Sequence, residues 1–108
     1  MSPTEGTQRL TDCRDRVDAV DLRILKLLNE RTRVVEEIGR IKRELGMPIY
    51  EPKREDEVFH NVTSNNSGPL PHEAVRRVFE RIIDEMRTVQ KERMIAEQAA
   101  KAEQGRED

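Results

Sequence analysis

Aromatic residues and cysteine are scarce in this chain. Of its 108 residues none is tryptophan, one is tyrosine and two are phenylalanine, while 34% are hydrophobic and 39% are charged. So little apolar material excludes a large globular core and is typical of exposed helices or coiled coils. The single cysteine, Cys13, excludes an intrachain disulfide. Because Cys13 lies in an apolar stripe, we expect a buried free thiol.

Long apolar runs and an excess of one charge are also missing. No run approaches the roughly 20 apolar residues that a membrane span requires, and residues 1–9 lack the apolar centre of a signal peptide. Twenty basic and twenty-two acidic residues are interspersed and give a net charge of -2. Without a basic stripe, nucleic acid is not an expected partner. We therefore expect a soluble, cytoplasmic protein that binds neither membrane nor nucleic acid.

The chain does contain a long amphipathic stripe. Between Leu10 and Leu45 apolar residues recur at steps of three and four, which predicts one helix from near Gln8 or Thr11 to just before Gly46. About 36 residues at about 1.5 Å each span about 54 Å, whereas a compact 100-residue domain has a radius of gyration of about 13 Å. Such a helix needs an apolar partner, and a second copy of the chain in a symmetric dimer supplies one.

Two further helices follow. Helix two is predicted to open at Glu51 and Pro52 and to end near Asn65, and a third helix is predicted to have Pro71 in its first turn. Its apolar face consists of Val75, Val78, Phe79, Ile82, Ile83, Met86 and Val89. Beyond Met94 this face is lost, which predicts a fraying helical tail.

No segment requires a strand, so the predicted fold class is all-α with three helices per chain, one of them very long. No internal repeat is visible. The chain accordingly divides into an N-terminal tail at 1–9, a helical domain at 10–94 and a polar C-terminal tail at 95–108.

Each helix also carries polar side chains at apolar positions. Helix one has Arg31 in the stripe and Lys42 eleven residues later, only about 20° further round the axis. Helix two contributes Arg54 and Glu55, and helix three contributes Gln90. A single long cation can reach the surface from such a position, and a buried glutamine can simply fix a register. Several cations converging with a glutamine and one acid instead describe a pocket for a small dianionic ligand.

Arg14 adds a geometric clue about this pocket. It lies seventeen residues before Arg31, about 25 Å away along the same helix, so the two cannot hold one small molecule from a single chain. In an antiparallel dimer the partner subunit's Arg14 would reach the site. The spacing therefore predicts a site shared between two chains.

From about Leu10 to Arg93 the chain resembles the all-α (class II) chorismate mutases. The resemblance is carried by CRDRVDAVDLRILKLLNER, VVEEIGRIK, PIYEPKRE and FERIIDEMRTVQ, while the loop SNNSGPLP is most similar to the type fused to the first enzyme of the shikimate pathway. It implies an intertwined homodimer that rearranges chorismate to prephenate without metal, coenzyme or covalent intermediate. A free enzyme and a domain associated or fused with another shikimate-pathway enzyme both fit these residues.

The resemblance also implies which residues hold the substrate. Arg31 and the partner subunit's Arg14 would bind its carboxylates, with Arg54 as a second cationic wall. Lys42 would reach a carboxylate and the ether oxygen. Gln90 would donate to that oxygen from the other side.

The resemblance also implies a contact to the ring hydroxyl of the substrate, and the chain departs from the family at one site position. Glu55 would accept a hydrogen bond from the hydroxyl, with the backbone of Glu51 close by. Met86 stands where well-known members have a serine near a carboxylate, so that contact is absent. The residues show no Ser-His or Cys-His constellation, and we expect His60 and His72 to lie on the surface or in loops.

Two other functions fit the same pattern. An isochorismate-pyruvate lyase shares the scaffold and most of the cations, although the pair Arg54 and Glu55 favours the mutase. A non-catalytic helical dimerisation or regulatory domain is the second alternative, and the retained hydrogen-bond donors argue against it.

Overall fold

The fold is all-α, as the sequence predicts. The computed structural model describes residues 1–107, which contain no strand and form three helices: α1 at Pro3–Leu45, α2 at Pro52–Ser64 and α3 at His72–Glu107. The chain divides into two units, the first at residues 1–34 and the second from residue 35 onward, so the boundary falls inside α1. Among the described residues, no helix has the length and apolarity needed to cross a membrane.

The first helix begins earlier than the stripe predicts, at Pro3 instead of near Gln8 or Thr11. The Glu5 amide donates to Ser2 Oγ at 3.1 Å, and the Ser2 amide donates to Glu5 Oε2 at 3.4 Å. This reciprocal pair is a capping box, which satisfies two amides at a helix start. The prediction was wrong because this cap lies ahead of the first apolar residue of the stripe.

The first unit is a single helical segment whose apolar face is uncovered. Five stripe residues on it are 41–61% exposed, namely Leu10, Val17, Val20, Ile24 and Leu27. Cys13 is exposed as well. The expected burial of this thiol is therefore wrong for the single chain, because one helix cannot cover its own face.

The second unit holds the core, which forms where α2 packs against α3. Phe59 of α2 is buried together with Val75, Ile83 and Met86 of α3, and the Arg76 guanidinium lies 4.3 Å from the centre of the Phe59 ring. Of the seven residues predicted for the apolar face of helix three, three are thus buried, and Phe79, Ile82 and Val89 are half-buried. Val78, assigned to the same face, is 51% exposed because it lies at the edge of the stripe, about 60° from Val75.

A tight turn ends α1 and reverses the chain. The amide of Gly46, at a φ of +67°, donates to the Arg43 carbonyl at 3.2 Å, and the Met47 amide donates to the Lys42 carbonyl at 2.8 Å. This is a Schellman motif, which favours glycine at the left-handed position. A loop at residues 47–51 then leads to α2, which has Glu51 as its N-cap, as predicted.

The third helix is longer than its apolar face. Pro71 immediately precedes α3 instead of lying within its first turn, and the helix continues through residues 95–107 of the predicted tail. Residue 108 lies outside the described residues. The described part of the predicted tail is therefore a continuation of α3.

Candidate functional site

Lys42 is a largely buried cation near the end of α1. Its Nζ donates to the Ile49 carbonyl oxygen at 3.0 Å and lies 2.5 Å from Glu51 Oε1. The Lys42 side chain is 11% exposed. Because the Schellman turn folds residues 47–51 back over α1, this loop supplies both partners of the ammonium.

Glu55 of α2 is held by an arginine that the sequence reasoning missed. Arg87 Nη2 lies 2.6 Å from both Glu55 oxygens, and both side chains are about three-quarters buried. The Arg87 guanidinium also lies 4.7 Å from the centre of the Tyr50 ring. Arg87 follows Ile83 by four residues. This spacing places it beside the apolar face of helix three and could have identified it from the sequence.

Gln90 joins α3 to α1. Its Nε2 donates to the Val35 carbonyl oxygen at 3.2 Å. A Cβ built on the buried Gly39 would lie 3.6 Å from that nitrogen, in ordinary contact. Lys42 is three residues beyond Gly39, roughly 4.5 Å further along α1. Lys42 and Gln90 thus belong to the same unit, Lys42 on α1 and Gln90 on the helix that contacts α1.

Two ion pairs flank Gln90. Arg93 Nε lies 3.3 Å from Glu36 Oε1, and Arg43 Nη2 lies 3.0 Å from Glu97 Oε2. These pairs and Gln90 border a pocket of about 190 Å³ between α1 and α3. The pocket is mainly polar, and its arginines already have carboxylate partners on the facing helix.

Of the other predicted cations, one belongs to the second unit and two to the first. Arg54 is exposed, and its Nη1 lies 3.2 Å from Glu57 Oε2 in the next turn of α2. Arg31 and Arg14 belong to the first unit, where Arg31 is partly buried and Arg14 is exposed. The second unit thus contains Lys42 and Gln90 together with Arg87 and the carboxylates Glu51 and Glu55.

Met86 and the histidines complete the predicted set. Met86 is 7% exposed and belongs to the core, and its thioether side chain has no hydroxyl to offer to the site. His60 and His72 are exposed, as expected. Among residues 1–107, no group of three or more histidine, cysteine or carboxylate side chains is arranged to hold a metal ion.

The charges of the cluster are paired. Lys42 faces Glu51, and Arg87 faces Glu55. The arrangement offers an ammonium and an amide as hydrogen-bond donors and a carboxylate as an acceptor. Such a set can bind and polarise a small polar molecule through charge-assisted hydrogen bonds.

Known proteins match this chain over most of its length. The family model described as chorismate mutase type II matches residues 13–91. The bifunctional chorismate mutase/prephenate dehydratase of Aquifex aeolicus is 33% identical over 88% of this chain and 27% of that protein. The chain spans only about a quarter of the length of such bifunctional relatives.

Solved structures match over nearly their whole length. A chorismate mutase from Thermus thermophilus (form II) is 43% identical, with a TM-score of 0.75 over 77% of this chain and 94% of that one. The chorismate mutase from Helicobacter pylori in complex with prephenate is 28% identical, with a TM-score of 0.73 over 79% of this chain and 92% of that one. All the residues predicted for the site lie within the matched range 13–91. The chain therefore belongs to the type II chorismate mutase family.

Proposed function

We propose that this chain catalyses the [3,3] rearrangement of chorismate to prephenate in the biosynthesis of phenylalanine and tyrosine. The observation that carries the proposal is the placement of the Lys42 ammonium and the Gln90 amide on facing helices of one unit. The prephenate bound to the Helicobacter pylori relative supports the same substrate class. An alternative enzyme on this scaffold, the isochorismate-pyruvate lyase, is an outcome of the test below.

Both donors retain a hydrogen for the substrate. An ammonium has three N–H donors, and Lys42 directs them toward two protein oxygens, on Ile49 and Glu51. A side-chain amide has two donors, of which Gln90 gives one to Val35. One N–H of each residue is left to reach the ether oxygen that gains charge as its bond lengthens.

The reaction is unimolecular, so the site must restrain the substrate in a compact chair and stabilise developing charge. An acceleration of roughly 10⁶-fold requires about 8 kcal/mol. One charge-assisted hydrogen bond contributes roughly 1.5–3 kcal/mol. Several donors must therefore act together, which is the role proposed for Lys42, Gln90 and the arginines Arg31 and Arg54. Glu55 accepts a hydrogen bond from the ring hydroxyl, beside the backbone of Glu51.

The working form of the proposed enzyme is an intertwined homodimer. The exposed apolar face of residues 1–34 supports this proposal, because so many aliphatic side chains on one helix need a partner surface. A second copy would also bring Arg14 of the partner subunit to the substrate carboxylates. We place the dimer in the cytoplasm, and the bifunctional relatives support association or fusion with another enzyme of the same pathway.

The test follows chorismate depletion spectrophotometrically and identifies the product, while light scattering measures the mass in solution. We expect prephenate and a mass of twice 12.6 kDa. Pyruvate and salicylate formed from isochorismate would favour the lyase, and no turnover of either compound would favour a regulatory domain. Unchanged turnover by Arg31→Ala would contradict the dianion site.

A further inference from the structure

We infer that Arg87 is a positioning residue that aims the Glu55 carboxylate at the ring hydroxyl of the substrate. This inference rests on the proposed function, since it names a residue that acts through Glu55. Arg87 itself need not contact the substrate, because it contacts the Glu55 oxygens that accept the hydrogen bond from the hydroxyl.

The geometry of the pair fixes the direction of the carboxylate. A single nitrogen, Nη2, lies 2.6 Å from both Glu55 oxygens, so it sits between them on the inner side of the carboxylate. Each oxygen has two lone pairs, and the outer one on each stays available to another donor. Arg87 thereby holds the Glu55 carboxylate group in position while leaving an acceptor for a hydroxyl.

Arg87 is itself held from another direction. Its guanidinium lies over the Tyr50 ring, 4.7 Å from the ring centre, in a cation–π contact. Tyr50 belongs to the loop that also supplies Ile49 and Glu51 to Lys42. Arg87 therefore ties α3 to α2 and to the loop over Lys42, and the position of Glu55 is coupled to all three elements.

The pair also removes an electrostatic conflict. A bare carboxylate beside a dianionic substrate would repel it, and the repulsion would be strong in a partly buried site. The Arg87 charge cancels that of Glu55 at hydrogen-bond distance. Glu55 can then serve as a hydroxyl acceptor without weakening the binding of the carboxylates.

A double-mutant cycle on the full chain tests this role, with Arg87→Met, Glu55→Gln and the double variant assayed with chorismate. We expect each single substitution to lower kcat/KM about 10-fold, the scale of one charge-assisted hydrogen bond. The loss should appear in KM, because the hydroxyl is bound equally in the ground state and the transition state. In the double variant the loss should stay at about 10-fold, because Arg87 acts only through Glu55.

The matched control is Arg81→Met, which removes an exposed arginine of the same helix paired with Glu85 and should leave kcat/KM unchanged. If Arg87→Met does not fold, Arg87→Lys keeps the charge but lacks the planar guanidinium that stacks on the Tyr50 ring. Its loss should be smaller, about 3-fold, and should also vanish in the Glu55→Gln background.

Several outcomes would overturn the inference. A multiplicative loss of about 100-fold in the double variant would show that Arg87 acts independently of Glu55. A fall in kcat alone, or full activity of Arg87→Met, would have the same consequence. Absence of turnover by the unsubstituted chain would overturn the proposed function and this inference together, and that result is seen before any variant is compared.

Discussion

Gln90 donates a hydrogen bond from its side-chain amide to the main-chain carbonyl oxygen of Val35 across the α1–α3 seam, at 3.2 Å. Because a carbonyl oxygen only accepts, this bond orients the NH₂ end of the amide toward α1. A Cβ added to Gly39, one turn further along α1, would lie in ordinary contact with this amide nitrogen, at 3.6 Å. The amide nitrogen therefore faces α1, the helix that carries Lys42, before substrate binds.

This orientation predicts activity that is nearly independent of pH between 6 and 8, measured as kcat/KM, because an amide does not titrate. Gln90→Glu should behave differently, since a carboxyl group donates a hydrogen bond only while protonated. Its activity should fall as the pH rises. A steep fall for the unsubstituted chain over the same range would contradict the placement of Gln90 at the ether oxygen.

Replacing Lys42 should have a large effect on the chemical step. Lys42→Met removes the cation that faces the developing charge, and the loss of one such donor typically lowers kcat about 10²–10³-fold. Steady-state kinetics would measure it. Lys101→Met, a substitution at an exposed lysine near the end of α3, should leave kcat unchanged. Retention of most activity by Lys42→Met would exclude a catalytic role for this ammonium.

Met86→Ser should have two separately measurable effects, one on the stability of the fold and one on substrate binding. Truncating this buried side chain should lower the free energy of unfolding by about 2–4 kcal/mol, the cost of a large-to-small core substitution. The new hydroxyl should lower KM if it supplies the carboxylate contact that the resemblance implies. Urea denaturation and kinetics measure the two effects.

Ile95→Ser is the matched control for Met86→Ser. Ile95 lies on the same helix and is 63% exposed, so the change in unfolding free energy should stay within about 0.5 kcal/mol. An unchanged or higher KM for Met86→Ser would show that position 86 does not face the substrate.

A mixing experiment tests whether the site is shared between chains. Arg14→Ala and Arg31→Ala should each be nearly inactive. In a mixed dimer, one site has both arginines and the other has neither. If unfolding and refolding of an equal mixture exchanges subunits at random, about a quarter of the original activity should return. No recovery, in a mixture shown by light scattering to be dimeric, would mean that both arginines act from one chain.

The sequence predicted the elements of the second unit well, because their signals are local. Glycine at 46 and proline at 52 mark a helix end and a helix start through backbone geometry alone, and the structure has both. The capping box at Ser2 and Glu5 was equally local and was overlooked. Lys42 and Gln90 were candidates because a polar residue in an apolar register is visible without coordinates.

The order of residues along the chain determined which of them share a helix face. It defined the uncovered stripe of α1, the buried face of α3 and the polar residues set among them. Only the tertiary structure decided which faces meet. It paired Glu55 with Arg87, placed Lys42 under the loop at Ile49 and Glu51, and left Arg54 exposed. The physical reason is that helical periodicity fixes angles around one axis, whereas a pairing between helices depends on how the loops set their separation and register.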